Sequence, residues 1–219
     1  MSECKYTMQP HRILVIGESH SDLYDRDGIK RIYIEGITMH RVGRDGVFSL
    51  HSKENIMEEG YDVIVVVCGE VDCRCHVYLQ LQKGRDLDEI LHTLASNYMS
   101  SLALVKQELG NRVQVFARGI VPPLRDGDHP DIAKGDVEYP YPIRGSLEER
   151  IAWRMRLNDL VAELASQQGV GFIPSPPWAE NEDHTMVFEM SDKIIHIHNN
   201  YAERACSDLM EHMQSALKM

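Results

Sequence analysis

The segment Gly17-Glu18-Ser19-His20-Ser21 follows the apolar run Arg12 to Ile16 and presents a hydroxyl where a buried strand would end. A serine nucleophile needs exposure, a base within reach and local positive potential. A turn from strand into helix supplies the exposure, and the free N–H groups of a helix start favour developing negative charge. Taken alone, Ser19 or Ser21 is as readily a helix N-cap, a role serine fills often. The second constellation is Asp192-Lys193-Ile194-Ile195-His196, close to the end of the sequence. A base must be held in one tautomer by a third group, and a carboxylate four residues before a histidine in a turn can do that. His198 is a rival base at a poorer distance from Asp192. With eleven histidines in the chain, the turn alone is also consistent with an incidental surface histidine.

A third polar segment, Gly69-Glu70-Val71-Asp72-Cys73-Arg74-Cys75-His76, follows the most apolar run of the chain. Arg74 carries fixed, always charged donors suited to an oxyanion or a substrate carboxylate. It is equally suited to a structural pair with Glu70 or Asp72. Cys73, Cys75, His76, His196 and His198 offer zinc-type ligands. The Cys-x-Cys spacing departs from that of structural zinc, so no metal and no cofactor are expected. Cys73 reads better as an inert thiol than as a nucleophile. Between Val121 and Gly145, Tyr139 and Tyr141 alternate with Pro140 and Pro142. Tyrosine beside proline makes a firm apolar surface with a polar tip, suited to a sugar or acyl group. His40, Arg41 and Arg44 are too few for a nucleic-acid surface, and neither a Walker loop nor a Gly-x-Gly-x-x-Gly turn follows a strand.

These residues need elements to position them. Arg12 to Ile16, Arg31 to Glu35, Tyr61 to Cys68, Arg112 to Ile120 and Val170 to Ile173 read as five strands. Tyr61 to Cys68 is continuous in Ile and Val, which implies burial on both faces, as in a parallel sheet. Ser52 to Glu59, Leu87 to Leu109, Ser146 to about Gln168 and Tyr201 to Leu217 read as helices, and Ser19 to Tyr24 as a helix opening. Ser146 and Glu149 form a capping box, and Gly60, Gly110 and Gly169 stop helices. Strands alternating with helices give an α/β fold with a parallel sheet covered on both faces. In such sheets the reactive crevice lies at the carboxyl ends of the strands, where the polar segments above fall.

The chain has 219 residues, a hydrophobic fraction of 43% and a formal net charge of −11. The length suits one α/β domain spanning residues 1–219. The acidic balance disfavours nucleic acid and anionic membranes as partners. No apolar run approaches the roughly 20 residues that span a bilayer, and the opening residues lack a signal-peptide pattern, so a cytoplasmic location is expected. Five cysteines, an odd and sparse set, fit reduced thiols.

Gly17-Glu18-Ser19 resembles the Gly-Asp-Ser opening block of the SGNH hydrolases, the GDSL-like lipase and esterase superfamily. Gly69-Glu70-Val71-Asp72 sits where that superfamily has Gly-x-Asn-Asp, and Asp192 and His196 sit where it has Asp-x-x-His. The second block falls on Thr38 to Gly46. Gly69 to Arg74 is also similar to the Gly-Glu-Ile-Asp-Cys-Arg segment of a divergent subgroup that opens on Gly-Asp-Ser-His. The order and spacing of the four blocks, from Ile13 to about Met210, carry the resemblance.

The resemblance implies a flavodoxin-like three-layer α/β/α sandwich with a mainly parallel five-stranded sheet. It also implies hydrolysis of a small-molecule or carbohydrate-linked ester through a Ser–His–Asp triad. Ser19 would attack the carbonyl, His196 would move the proton, and Asp192 would orient His196. Ser19, Gly43 and Arg74 would form the oxyanion hole, and His20, Glu70, Asp72, Tyr139 and Tyr141 would face the substrate. Three features depart from the pattern. Glu18 replaces Asp, three residues rather than two separate Asp192 from His196, and Val71 stands where an Asn would donate to the oxyanion. An O-acyltransferase with the same triad, and a binding module that keeps the fold, share these features.

Overall fold

The computed structural model describes residues 12–26, 28–128, 141–192 and 196–216. Tyr139 lies outside the described residues. Five strands, β1 (Ile13–Gly17), β2 (Ile29–Tyr33), β3 (Val63–Val67), β4 (Gln114–Arg118) and β5 (Gly171–Ile173), form one sheet in the order β2-β1-β3-β4-β5. Every neighbouring pair is parallel. All five positions of β1 and of β3 are buried, as their unbroken apolar runs require. The register sets Gly17 between Tyr33 and Val67, so the carboxyl ends of β1, β2 and β3 finish side by side.

The helices are α1 (Met39–Asp45), α2 (Lys53–Glu59), α3 (Val77–Leu81), α4 (Leu87–Leu109), α5 (Leu147–Gln168) and α6 (Ala202–Ala216). Successive strand side chains point to opposite faces. Leu14, Ile16, Ile64, Val66, Val115 and Ala117 join one core with α1, α2, α4 and α5. Ile13, Val15, Val63, Val65, Val67 and Phe116 join the other with α6 and with a 3-10 helix over Ser19–Tyr24. The result is the three-layer α/β/α sandwich.

Three elements differ from the sequence reading, the first being α1, which that reading does not include among its helices. The second strand is Ile29–Tyr33 rather than Arg31 to Glu35, because Ile29 pairs with Ile13 where β1 begins and the chain turns at Glu35–Gly36. A π-helix over Asp72–His76 runs into α3, in a segment whose polar composition gives no helical signal. That conversion directs Asp72 and Cys73 inward, where both are buried.

Candidate active site

Ser19 stands two residues beyond β1, at the head of the 3-10 helix. Its approach is sterically fixed at Gly17. A Cβ there would lie 2.8 Å from Val67 Cβ and 3.1 Å from Ser21 Cβ, so β1 can end against β3 only with glycine. Glu18 is the N-cap residue but makes no side-chain cap. Ser21 donates its hydroxyl to the Glu18 carbonyl at 2.5 Å, so the local backbone takes up Ser21 and leaves Ser19 half-buried beside the cavity.

The partner arrives from a turn just before α6. Asp192 donates its N–H to the His196 carbonyl at 2.8 Å, and His196 donates its N–H to Asp192 Oδ1 at 3.0 Å. These reciprocal bonds fix the spacing of the two side chains. His196 Nδ1 then lies 2.7 Å from Asp192 Oδ2, and His196 Nε2 lies 2.8 Å from Ser19 Oγ. The rival His198 is occupied otherwise. Its Nδ1 accepts the Asn200 N–H at 3.0 Å and caps the short 3-10 helix ahead of α6.

Ser19 opens into a cavity of about 530 Å³. Ser19, Asp192 and His196 line it together with His20, Asp22 and Asn199. Leu23 and Ile197 add apolar surface to the wall, but its described residues form no long apolar channel of the kind a fatty acyl chain would need. His20 stands behind it, 3% exposed, with its ring 4.9 Å from that of His196.

The second and third blocks are arranged differently from the sequence reading. Gly43 lies in the middle of α1, and a Cβ on it would come within 2.8 Å of Asn97 Cβ on α4. It is the contact point of two helices, away from the crevice. The signal that could have shown this is Thr38, whose hydroxyl accepts the Arg41 N–H and starts the helix five residues earlier. Another glycine, Gly36, lies in the turn after β2, with φ +59° and the Tyr141 ring 2.6 Å from where its Cβ would be. Arg74 is held as a structural pair. Its Nε lies 2.7 Å from Glu70 Oε1 and its Nη1 donates to the Tyr141 carbonyl. Its guanidinium lines a neighbouring cavity of about 410 Å³ that Ser19 does not touch.

Asp72 is fully buried and accepts the Met39 N–H at 2.7 Å, which anchors the start of α1 to the third block. Val71 is buried as well. Glu70 is partly buried and donates its N–H to Glu18 Oε1 at 3.3 Å. Burial, then the charges of Glu70 and Asp72, push the Glu18 carboxyl well above its ordinary value. Burial raises the Cys73 thiol too, which fits an inert side chain. Tyr141 packs edge-on against His76, with ring centroids 5.6 Å apart.

No protein-family model matches the chain, and no curated protein matches it. Solved structures do. One from Streptococcus pneumonia named for platelet activating factor has 15% identity and a TM-score of 0.59, over 95% of this chain and 86% of that one. A GDSL-like lipase from Bacteroides thetaiotaomicron has 15% identity and a TM-score of 0.53, over 95% and 89%. An acetylxylan esterase from Geobacillus stearothermophilus, crystallised as a catalytic Ser-to-Ala mutant, has 13% identity and a TM-score of 0.54, over 92% and 93%. The chain shares the fold of these hydrolases. Among the described residues no helix is long and apolar enough to cross a membrane.

Proposed function

We propose that the chain is a serine hydrolase of the SGNH type that cleaves short-chain acyl esters, including acyl groups carried on a carbohydrate. The observation that carries this reading is the unbroken relay from Ser19 Oγ through His196 to Asp192, at 2.8 and 2.7 Å, beside an open polar cavity. His196 Nε2 takes the Ser19 proton as Oγ attacks the acyl carbon, and Asp192 holds the imidazole in the tautomer that can accept it. The tetrahedral oxyanion collapses, His196 returns the proton to the leaving alcohol, and an acyl group stays on Ser19. Water, deprotonated by His196, completes hydrolysis.

The oxyanion donors in this reading are the backbone N–H of Ser19 and that of the Gly36 turn, in place of Gly43. Val71 offers nothing there. One missing side-chain donor typically costs about 2.7–4 kcal/mol of transition-state stabilisation, so turnover is expected to be slow. The acetylxylan esterase among the similar structures motivates the carbohydrate-linked substrate, and the largely polar wall favours acetyl over longer chains.

The test is hydrolysis of p-nitrophenyl acetate and of acetylated sugars by the wild type and by Ser19→Ala. The wild type should turn over both, and the variant should fall to background with its circular dichroism unchanged. Equal turnover by the two proteins would overturn the reading.

A further inference from the structure

We propose that Glu18, His20 and Glu70 form a divalent-cation site directly behind the nucleophile. One ligand atom from each of these side chains lies within 4.8 Å of the others. Glu18 and His20 are each 3% exposed. Glu18 Oε2 and Glu70 Oε2 are buried and receive no hydrogen bond. Such oxygens are costly unless something positive meets them.

The local charges are unequal. Glu18, Glu70 and Asp72 place three carboxylates at the ends of β1 and β3. Arg74 meets one oxygen of Glu70 and leaves the other bare. Asp72 accepts the Met39 N–H on Oδ2 alone; its buried Oδ1 receives no hydrogen bond from the described residues and has His76 Nδ1 at 3.7 Å. Arg118 lines the same small cavity as Glu18 and Glu70; its Nη2 is paired with Asp208 at 3.1 Å, and its buried Nε and Nη1 have no hydrogen-bond partner among the described residues. A cation held by one carboxylate oxygen each from Glu18 and Glu70 and by a His20 ring nitrogen, whose Nδ1 lies 3.8 Å from Glu18 Oε1, would balance Glu18.

The donor set defines the kind of ion. Two carboxylate oxygens and one imidazole suit Zn²⁺ or Mn²⁺, and three protein ligands leave positions for water. No thiol belongs to the cluster, although Cys73 is nearby in sequence. The ion would tie the Glu18–Ser19 turn to the third block, and it would place positive charge next to the residue that carries the nucleophile. The site does not depend on the hydrolase reading, since binding is measured without turnover.

The experiment is calorimetric titration of the chelator-treated full-length chain with Zn²⁺ and with Mn²⁺, plus the visible spectrum after adding Co²⁺. One ion should bind per chain. Glu18→Gln and His20→Gln should each weaken binding at least ~10-fold, the scale on which metal sites lose affinity when their support is removed. Glu70→Gln, with its side chain 14% exposed, should do the same and serves if Glu18→Gln does not fold. The Co²⁺ spectrum should lack thiolate charge transfer. Absence of saturable binding would overturn the proposal and leave a proton, or Arg118 acting through water, to balance Glu18. Binding unchanged in the variants, or a thiolate band pointing to Cys73 or Cys75, would also overturn it.

Discussion

The side of Gly17 faces Val67 so closely that a methyl group on the glycine would sit 2.8 Å from Val67 Cβ, and closer still to the Val67 carbonyl. This contact sets where β1 ends and therefore where Ser19 stands. Gly17→Ala must push the two strands apart. Overpacking of this kind costs about 1–3 kcal/mol. Thermal unfolding should show a lower Tm, and ester turnover should fall by more than the folded fraction does, because Ser19 moves away from His196.

Asp192 and His196 are locked by one backbone bond, from the Asp192 N–H to the His196 carbonyl, and by the His196 N–H on the Asp192 carboxylate. Asp192→Asn keeps the shape but presents a donor to Nδ1, which favours the wrong tautomer. A loss of kcat of about 10⁴ is the scale known for this change in serine hydrolases. Steady-state kinetics with p-nitrophenyl acetate check it, with KM little altered.

Gly43 separates two structural accounts of the second block. At the α1–α4 contact, Gly43→Ala must displace Asn97 or tilt α1. The expected result is a loss of about 1–3 kcal/mol in stability, with kcat/KM of the folded protein kept within a few-fold. A collapse of kcat at unchanged stability would return Gly43 to the oxyanion hole.

Arg154 is buried on α5 and grips Glu180 with two hydrogen bonds of 2.9 and 2.7 Å, while also meeting the Ile120 carbonyl and Ser175. His184 Nδ1 is the other polar neighbour of Glu180, at 2.8 Å from Oε1. Pairing with Arg154 holds the Glu180 carboxyl below its ordinary value. Its contribution is therefore in place above about pH 4.3, the unfolded value, and disappears as pH falls through the lowered folded value. Glu180→Gln should cost about 1.5–3 kcal/mol at neutral pH, the range of a hydrogen bond to a charged group, and should flatten the acid limb of stability. Urea denaturation from pH 3 to 7 compares the two proteins.

Parts of this were legible from residues alone, and the reason is locality. The apolar run before Gly17 and the capping box of Ser146 and Glu149 are short-range signals, whereas the pairing of Asp192 and His196 with Ser19, 177 residues from His196, is implied by the resemblance. The structure realises each of them: both cap bonds are present at Ser146, and His196 meets Ser19. What was misread depends on distant contacts. Gly43 and Gly36 look alike as letters, and only the packing of α1 on Asn97 separates them. The π-helix over Asp72–His76 has the composition of a loop and forms because the Met39 N–H and Arg74's partners draw its side chains inward. The meeting of Glu18, His20 and Glu70 crosses 52 residues of sequence and leaves no periodic trace.

Labelling with a fluorophosphonate tests the central claim most directly, because the probe needs an activated serine and no knowledge of the substrate. Intact-protein and peptide mass spectrometry should find one adduct per chain, on Ser19, absent in Ser19→Ala and much slower in His196→Ala. A folded wild-type protein that takes up no probe, or a Ser19→Ala variant that labels equally well, would contradict the assignment of Ser19 as the nucleophile.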